Sequence, residues 1–227
     1  MVPTALTRLD RPAPEIAVLT LDRAERRNAL SNALRDEITE RLATLAADPD
    51  VMVVVVTGAG DVFSAGFDLE ELTRAAGDPA FADTLWASSD RYHDAVAQSP
   101  LVTIAAVNGP AIAGGFDLAV LCDLRVASTT ARFAHPEYTF GDVVYGPLHD
   151  LVGGAVAREL TMTGRTLSAD EALGLHLVSA VVEPEQVLGA ALDLASQVAR
   201  ADRVALRRTK AKALARAREA GGGTLDR

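Results

Sequence analysis

The 227-residue sequence predicts an α/β domain built around a mostly parallel sheet. Three observations carry that prediction. Apolar runs rich in β-branched residues recur at Ile16–Leu21, Val51–Thr57 and Leu101–Val107, and more weakly at Leu124–Ala127 and Leu177–Val182. Within the second run, positions 51–56 are apolar without exception, the mark of a strand covered on both faces. Helical patterns lie between the runs, and alternation of strand with helix is the signature of parallel pairing.

Each element has its own warrant. Ser31 is a capping residue ahead of a helix whose apolar stripe is Leu34, Ile38, Leu42 and Leu45, with Asp36 and Glu37 near its positive end. Residues 79–98 read as a second helix opened by Pro79. Ser168-Ala169-Asp170-Glu171 is a capping box before Ala172 and Leu173. Pro184 opens a helix to about Ala199, and another is expected from about Asp202 to Glu219. The Gly221-Gly222-Gly223 run begins a tail. This divides the chain into a core over residues 1–183 and a helical C-terminal region over 184–227.

Composition narrows the function. Hydrophobic residues make up 49% and charged residues 23%, which excludes wholesale disorder. One cysteine excludes a disulfide scaffold and points to a reducing compartment. A net charge of −9 argues against nucleic acid as the main partner. The exception is a basic run, Arg203, Arg207, Arg208, Lys210, Lys212, Arg216 and Arg218 without an acid, which is either a solvated helix face or an anion contact. No stretch has the apolar length of a membrane span, and Met1–Asp10 lacks a signal-peptide core, so a cytoplasmic protein is expected.

Several chemistries find little support. Gly58-Ala59-Gly60 follows a strand but lacks the third glycine of a dinucleotide-binding turn, where Phe63 stands instead. His93, His135, His149 and His176 show no ligand spacing with cysteine or acid, so no metal site is expected. Cys122 falls at helical spacing from Leu118 and Leu121, as a core residue does.

Two glycine-bearing segments are more informative. Phe63-Ser64-Ala65-Gly66-Phe67-Asp68-Leu69 lies just beyond the second strand, and Asn108–Leu118 just beyond the third. Both fall at carboxyl ends of strands, where open α/β sheets bind ligands. Gly114-Gly115 precede an apolar helix, so their N–H groups point out of a helix N-terminus, a place suited to negative charge.

Taken in order, Asn28-Ala29-Leu30-Ser31, Phe63–Leu69, Asn108–Leu118 with Cys122-Asp123, Pro136-Glu137, Leu160–Arg165 and Ala169–Leu173 resemble the crotonase superfamily, the enoyl-CoA hydratase/isomerase family. The resemblance covers about residues 14–210. It implies a crotonase (ClpP-like) fold of repeated ββα units with a short helical C-terminal appendage, shortened relative to the family. It implies an acyl-CoA thioester as substrate, with no cofactor beyond that coenzyme A, no nucleic-acid or membrane partner, and assembly as a homotrimer or a dimer of trimers.

The same resemblance assigns residues. The backbone N–H groups of Phe67 and Gly114 become an oxyanion hole for the thioester carbonyl. Arg26, Ala29, Leu30, Ala65, Gly66, Phe67, Asp68, Leu69, Gly114 and Pro136 become substrate contacts, and Lys210 a possible contact to the CoA phosphates. Glu137 is the main acid–base residue, and Asp117, where hydratases of the family carry Glu, is its partner. Hydration is the expected reaction; isomerisation of the enoyl double bond and non-catalytic acyl-CoA binding are the alternatives. One departure stands out: after Glu137 the family's P-G-x-G-G turn is absent, and Asp142, Tyr145, His149 and Asp150 read as loop residues or substitute catalytic groups.

Overall fold

A computed structural model describes residues 5–139, 141 and 143–221. Phe140, Asp142 and Gly222–Gly223 lie outside the described residues. In chain order the elements are β1 (Thr7–Ala13), β2 (Ile16–Leu21), α1 (Asn32–Ala47), β3 (Val53–Gly58), α2 (Leu69–Gly77), α3 (Pro79–Ala97), β4 (Val102–Val107), β5 (Ala111–Ile112), α4 (Gly114–Leu121), β6 (Leu124–Ser128), β7 (Arg132–Ala134), α5 (Gly146–Thr163), β8 (Leu167–Ser168), α6 (Ala169–Gly174), β9 (Val181–Val182), α7 (Val187–Ala199) and α8 (Arg203–Gly221).

The main sheet runs β1-β2-β3-β4-β6-β9, with β1 antiparallel to β2 and every other pair parallel. Its central strands β2, β3 and β4 are apolar but for one threonine each because both faces are covered. Ala17, Leu19, Leu21, Val54, Val56, Ala105 and Val107 point to the larger core, which holds α1 and α4. The alternate residues Ile16, Val18, Val53, Val55, Ile104 and Ala106 point to the other side. There Val187, Ala191 and Ala195 form one face of α7, spaced four apart, and their small side chains let that helix lie close on the strands.

A second, three-stranded sheet β5-β7-β8 forms where the chain leaves the carboxyl ends of the main strands. The loop after β3 joins it, since Ser64 bridges Ala111 and Phe67 bridges Leu30 in parallel. Successive strand-plus-turn units thus stack sideways, and residues far apart in sequence line one seam.

Helix signals translate directly where side chains do the capping. Ser31 Oγ accepts the Leu34 N–H at 3.3 Å, and Ser168 Oγ accepts the Glu171 N–H at 3.3 Å. The reciprocal arm of the expected capping box is diverted, for Glu171 accepts Arg165 at 2.7 Å instead. Two other expectations are corrected. Leu177–Val182 is strand only at Val181–Val182, because Leu177 and Val178 turn back to bond the Ala172 carbonyl at the end of α6. Residues 146–150 are not loop: they form the first turns of α5, which Gly153 interrupts at φ 78°. Among the described residues no helix is long and apolar enough to cross a membrane.

Candidate active site

The seam between the two sheets assembles the site. Ala113 precedes α4 with φ 53° and ψ −129°, a conformation an L-residue rarely adopts. Its N–H is held by the Ala134 carbonyl at 2.8 Å, which ties the start of α4 to the end of β7. The bend aims the Gly114 N–H out of the helix. Gly66, at φ 85°, presses on this bend: a Cβ there would lie 2.8 Å from both Ala113 Cβ and the Ile112 carbonyl, and 3.1 Å from Gly114 N. A Cβ on Gly114 would lie 2.8 Å from the Phe67 ring. The two segments therefore touch through glycines because nothing larger fits, which sets the Phe67 segment against the N-terminus of α4.

Phe67 is held from three sides. The Arg35 guanidinium lies 4.3 Å over its ring, His93 stacks at 6.2 Å, and Trp86 stands at 6.4 Å. Arg35 is itself fully buried and donates to the carbonyls of Leu30 (2.5 Å) and Leu85 (3.2 Å) and to Asn32 Oδ1. Burial lowers its pKa, with Glu71 opposing the shift.

One helical turn beyond Gly114, Asp117 meets the turn that follows β7. His135 Nδ1 donates to Glu137 Oε1 at 2.9 Å and lies 3.8 Å from Asp117 Oδ1. Phe116 stacks on the imidazole at 4.7 Å and 25°. All three polar residues are buried. Burial pushes the Asp117 carboxyl up to about 7; His135 opposes that shift, Glu137 adds to it, and a hydrogen bond from the Val144 amide moderates it. Burial works against the His135 imidazolium, yet the hydrogen bond to Glu137 and the charges of both carboxylates outweigh it and raise the pKa. Asp117 Oδ1, His135 Nε2 and Glu137 Oε2 are each buried without a hydrogen-bond partner. Such atoms are costly in a folded chain unless something else uses them.

These three residues also offer potential metal-binding atoms within 4.8 Å of one another. The 2.9 Å N–O contact is already a hydrogen bond in its own right, which fits proton sharing. Histidine at the heart of the site is the largest correction to the sequence reading, which found no significant spacing around any histidine. The signal that was available is local: His135 and Glu137 flank a proline, directly after the strand that enters the core.

The other sequence-assigned residues fall into two groups. Gly66, Ala65 and Ala29 line the same seam, Leu30 is buried in it, and Pro136 is exposed on the turn carrying Glu137. Leu69 is exposed at the start of α2. Asp68, in contrast, is occupied: it accepts Arg23 at 2.7 Å and caps α2 through the Glu70 N–H at 3.0 Å. Arg26 is exposed and paired with Glu70 at 2.8 Å. Lys210 is turned inward, 2.6 Å from both oxygens of Asp123, so it is engaged in the fold. His149 and Asp150 form an exposed pair at 3.5 Å on α5. Burial pushes the Cys122 thiol up to about 12, consistent with a core role. Gly58 is closely packed by backbone, so that a Cβ would lie 2.5 Å from the Val62 and Phe63 carbonyls.

The sequence pattern of the enoyl-CoA hydratase/isomerase family matches residues 12–224. The chain belongs to this family. It is 40% identical over 206 residues to a Thermus thermophilus protein that carries an enoyl-CoA hydratase name, covering 88% of this chain and 81% of the relative. Among solved structures, the enoyl-CoA hydratase of Bacillus anthracis superposes with a TM-score of 0.84 at 32% identity, covering 91% and 81% of the two chains. A monofunctional enoyl-CoA isomerase from M. smegmatis superposes with a TM-score of 0.81 at 30% identity, covering 94% of each. The fold is the crotonase fold, and the chain is an acyl-CoA-processing enzyme of this family.

Proposed function

We propose that the enzyme hydrates a 2-enoyl-CoA. The observation that carries this reading is the pair of buried carboxylates bridged by His135: Asp117, one helical turn beyond Gly114, and Glu137, on the turn after β7. Hydration needs three things in one place. A thioester oxygen that becomes enolate-like is met by the Phe67 and Gly114 N–H groups, donors fixed before the reaction. A water attacks the β carbon and gives up a proton to a carboxylate. The α carbon of the enolate then takes a proton, completing addition of H and OH across the double bond. Glu137 is the main acid–base group in this scheme, and Asp117 positions the water or moves the second proton. A carboxyl near 7 both holds and releases protons at neutral pH, which suits Asp117 to that part despite its shorter reach.

Ala29, Leu30, Ala65 and Leu69 bind the CoA thioester in this reading, and Arg26 faces its phosphates. Coenzyme A enters only as part of the substrate. Assembly as a homotrimer or a dimer of trimers, a cytoplasmic setting, and division into a core and a C-terminal helical region at residue 183 belong to the same proposal. Isomerisation is the second reading, supported by the likeness to the M. smegmatis isomerase; one carboxylate suffices to carry a proton between the α and γ carbons.

The deciding measurement is loss of enoyl-thioester absorbance with short and long 2-enoyl-CoAs, with product identification. Glu137→Gln is expected to slow hydration by about 10²–10⁴-fold, and Asp117→Asn by less. A β,γ-enoyl substrate converted without a 3-hydroxyacyl product would replace hydratase by isomerase.

A further inference from the structure

His135 has no task in the hydration chemistry above, yet it occupies the middle of the site. The turn holds its backbone, since the His135 carbonyl accepts the Tyr138 N–H at 3.3 Å, and Phe116 covers one face of the ring. Its Nδ1 faces both carboxylates, at 2.9 Å from Glu137 and 3.8 Å from Asp117. A carboxylate oxygen accepts, so Nδ1 carries the hydrogen. We propose that His135 is a positioning residue: its Nδ1–H grips Glu137 through Oε1, leaving Oε2 for proton exchange with substrate, and its ring charge lets two buried carboxylates share one small volume. This proposal rests on the two-carboxylate reading of the site.

The alternatives for the ring are weaker. A histidine retained only for packing needs no carboxylate at 2.9 Å and would not leave Nε2 buried and unpartnered. The groups that bear on the imidazole are few: Glu137 from its own turn and Asp117 from α4, with Asp117 in turn acting on the buried Tyr92 phenol of α3. Removing the imidazolium charge therefore leaves two carboxylates facing each other with only the Val144 amide on Asp117 to offset them. Both then hold protons more tightly, and the pH at which the site becomes able to accept a proton rises.

Two substitutions separate grip from charge. His135→Gln keeps an N–H donor without the charge, and His135→Ala removes both. With kcat and KM followed across pH, His135→Gln is expected to move the acid limb of the rate profile up by about one unit with KM nearly unchanged. His135→Ala is expected to lose about 10²-fold in kcat as well, the cost of a misplaced carboxylate. A His135→Gln profile that superimposes on the parent enzyme overturns the proposal.

The second measurement does not depend on turnover. The imidazole resonances of the four histidines are titrated by NMR in the parent and in Glu137→Gln, with His135 assigned by its through-space contact to the Phe116 ring. The expected result is a His135 midpoint above the ordinary histidine value that falls in Glu137→Gln. An unchanged midpoint overturns the proposal even where the variants of His135 fail to fold. A parent enzyme that hydrates no enoyl-CoA but shows the coupled titration retires the hydratase reading and leaves the His135–Glu137 coupling standing.

Discussion

Two buried polar clusters, built from similar residue types, differ in one respect. At the turn after β2, Asn28 is fully buried: its Oδ1 accepts the Arg23 N–H at 3.1 Å and its amide donates to the carbonyls of Ala59 (2.9 Å) and Val62 (2.7 Å). Arg23 in turn bonds the Ala29 carbonyl at 2.9 Å and Asp68 at 2.7 Å. In the Asp117–His135–Glu137 cluster each residue keeps one buried polar atom without a partner. A cluster whose atoms are used up by the protein specifies the chain path. One that holds atoms back has something else to bond.

The largest effect that would sharpen this contrast comes from the seam itself. Gly66→Ala places a methyl against Ala113 and the Ile112 carbonyl at a φ that favours glycine, separating the two amides. It is expected to lower kcat/KM by about 10²–10³-fold, the cost of an oxyanion-hole donor, measured on the enoyl-thioester assay. Activity close to the parent would break the assignment of Phe67 and Gly114.

The next two substitutions move stability in opposite directions. Asn28→Ala orphans the buried Val62 carbonyl and the half-buried Ala59 carbonyl and puts alanine at φ 53°, so a loss of about 3 kcal/mol in denaturant unfolding is expected. Asp117→Asn should stabilise the fold while it slows the reaction. The sign follows from the raised carboxyl: the native state binds a proton that the unfolded chain gives up near pH 4, so the Asp117 contribution is present below about 4 and is lost as pH rises through about 7. The Tm advantage of Asp117→Asn is therefore expected to be absent near pH 4 and to grow through pH 7, at about 2–4 °C per kcal/mol. An advantage independent of pH would contradict the burial argument.

The smallest effect belongs to Arg26. Its ion pair with Glu70 is exposed, so Arg26→Ala is expected to change stability by less than about 0.5 kcal/mol. A several-fold rise in KM for acyl-CoA, weakened by salt, would place the arginine on the phosphates; no change would leave it a surface residue.

Legibility in the sequence followed the range of the forces involved. β2 and β4 were readable because both faces are buried and every position but one threonine in each is apolar, and Ser31 because a cap acts within four residues. β1 was not, since an edge strand reading TRLDRPA exposes most of its length and carries charges. The helix α5 was hidden by Gly153, which breaks its pattern midway. Asp117 and Glu137 entered through family resemblance. His135 was missed because its significance arises only when β5 pairs with β7 and brings α4 against the turn beyond, a contact across about twenty residues that no local spacing records.

The chain has a single tryptophan, and it stands beside the Phe67 ring at the mouth of this seam, with 42% of its surface exposed. The indole is thus an optical reporter placed by the fold: under the proposed function, a thioester settling on the Phe67 amide is expected to displace water from its neighbourhood and alter its emission. Occupancy of the site can be followed by light alone, in variants that no longer turn anything over.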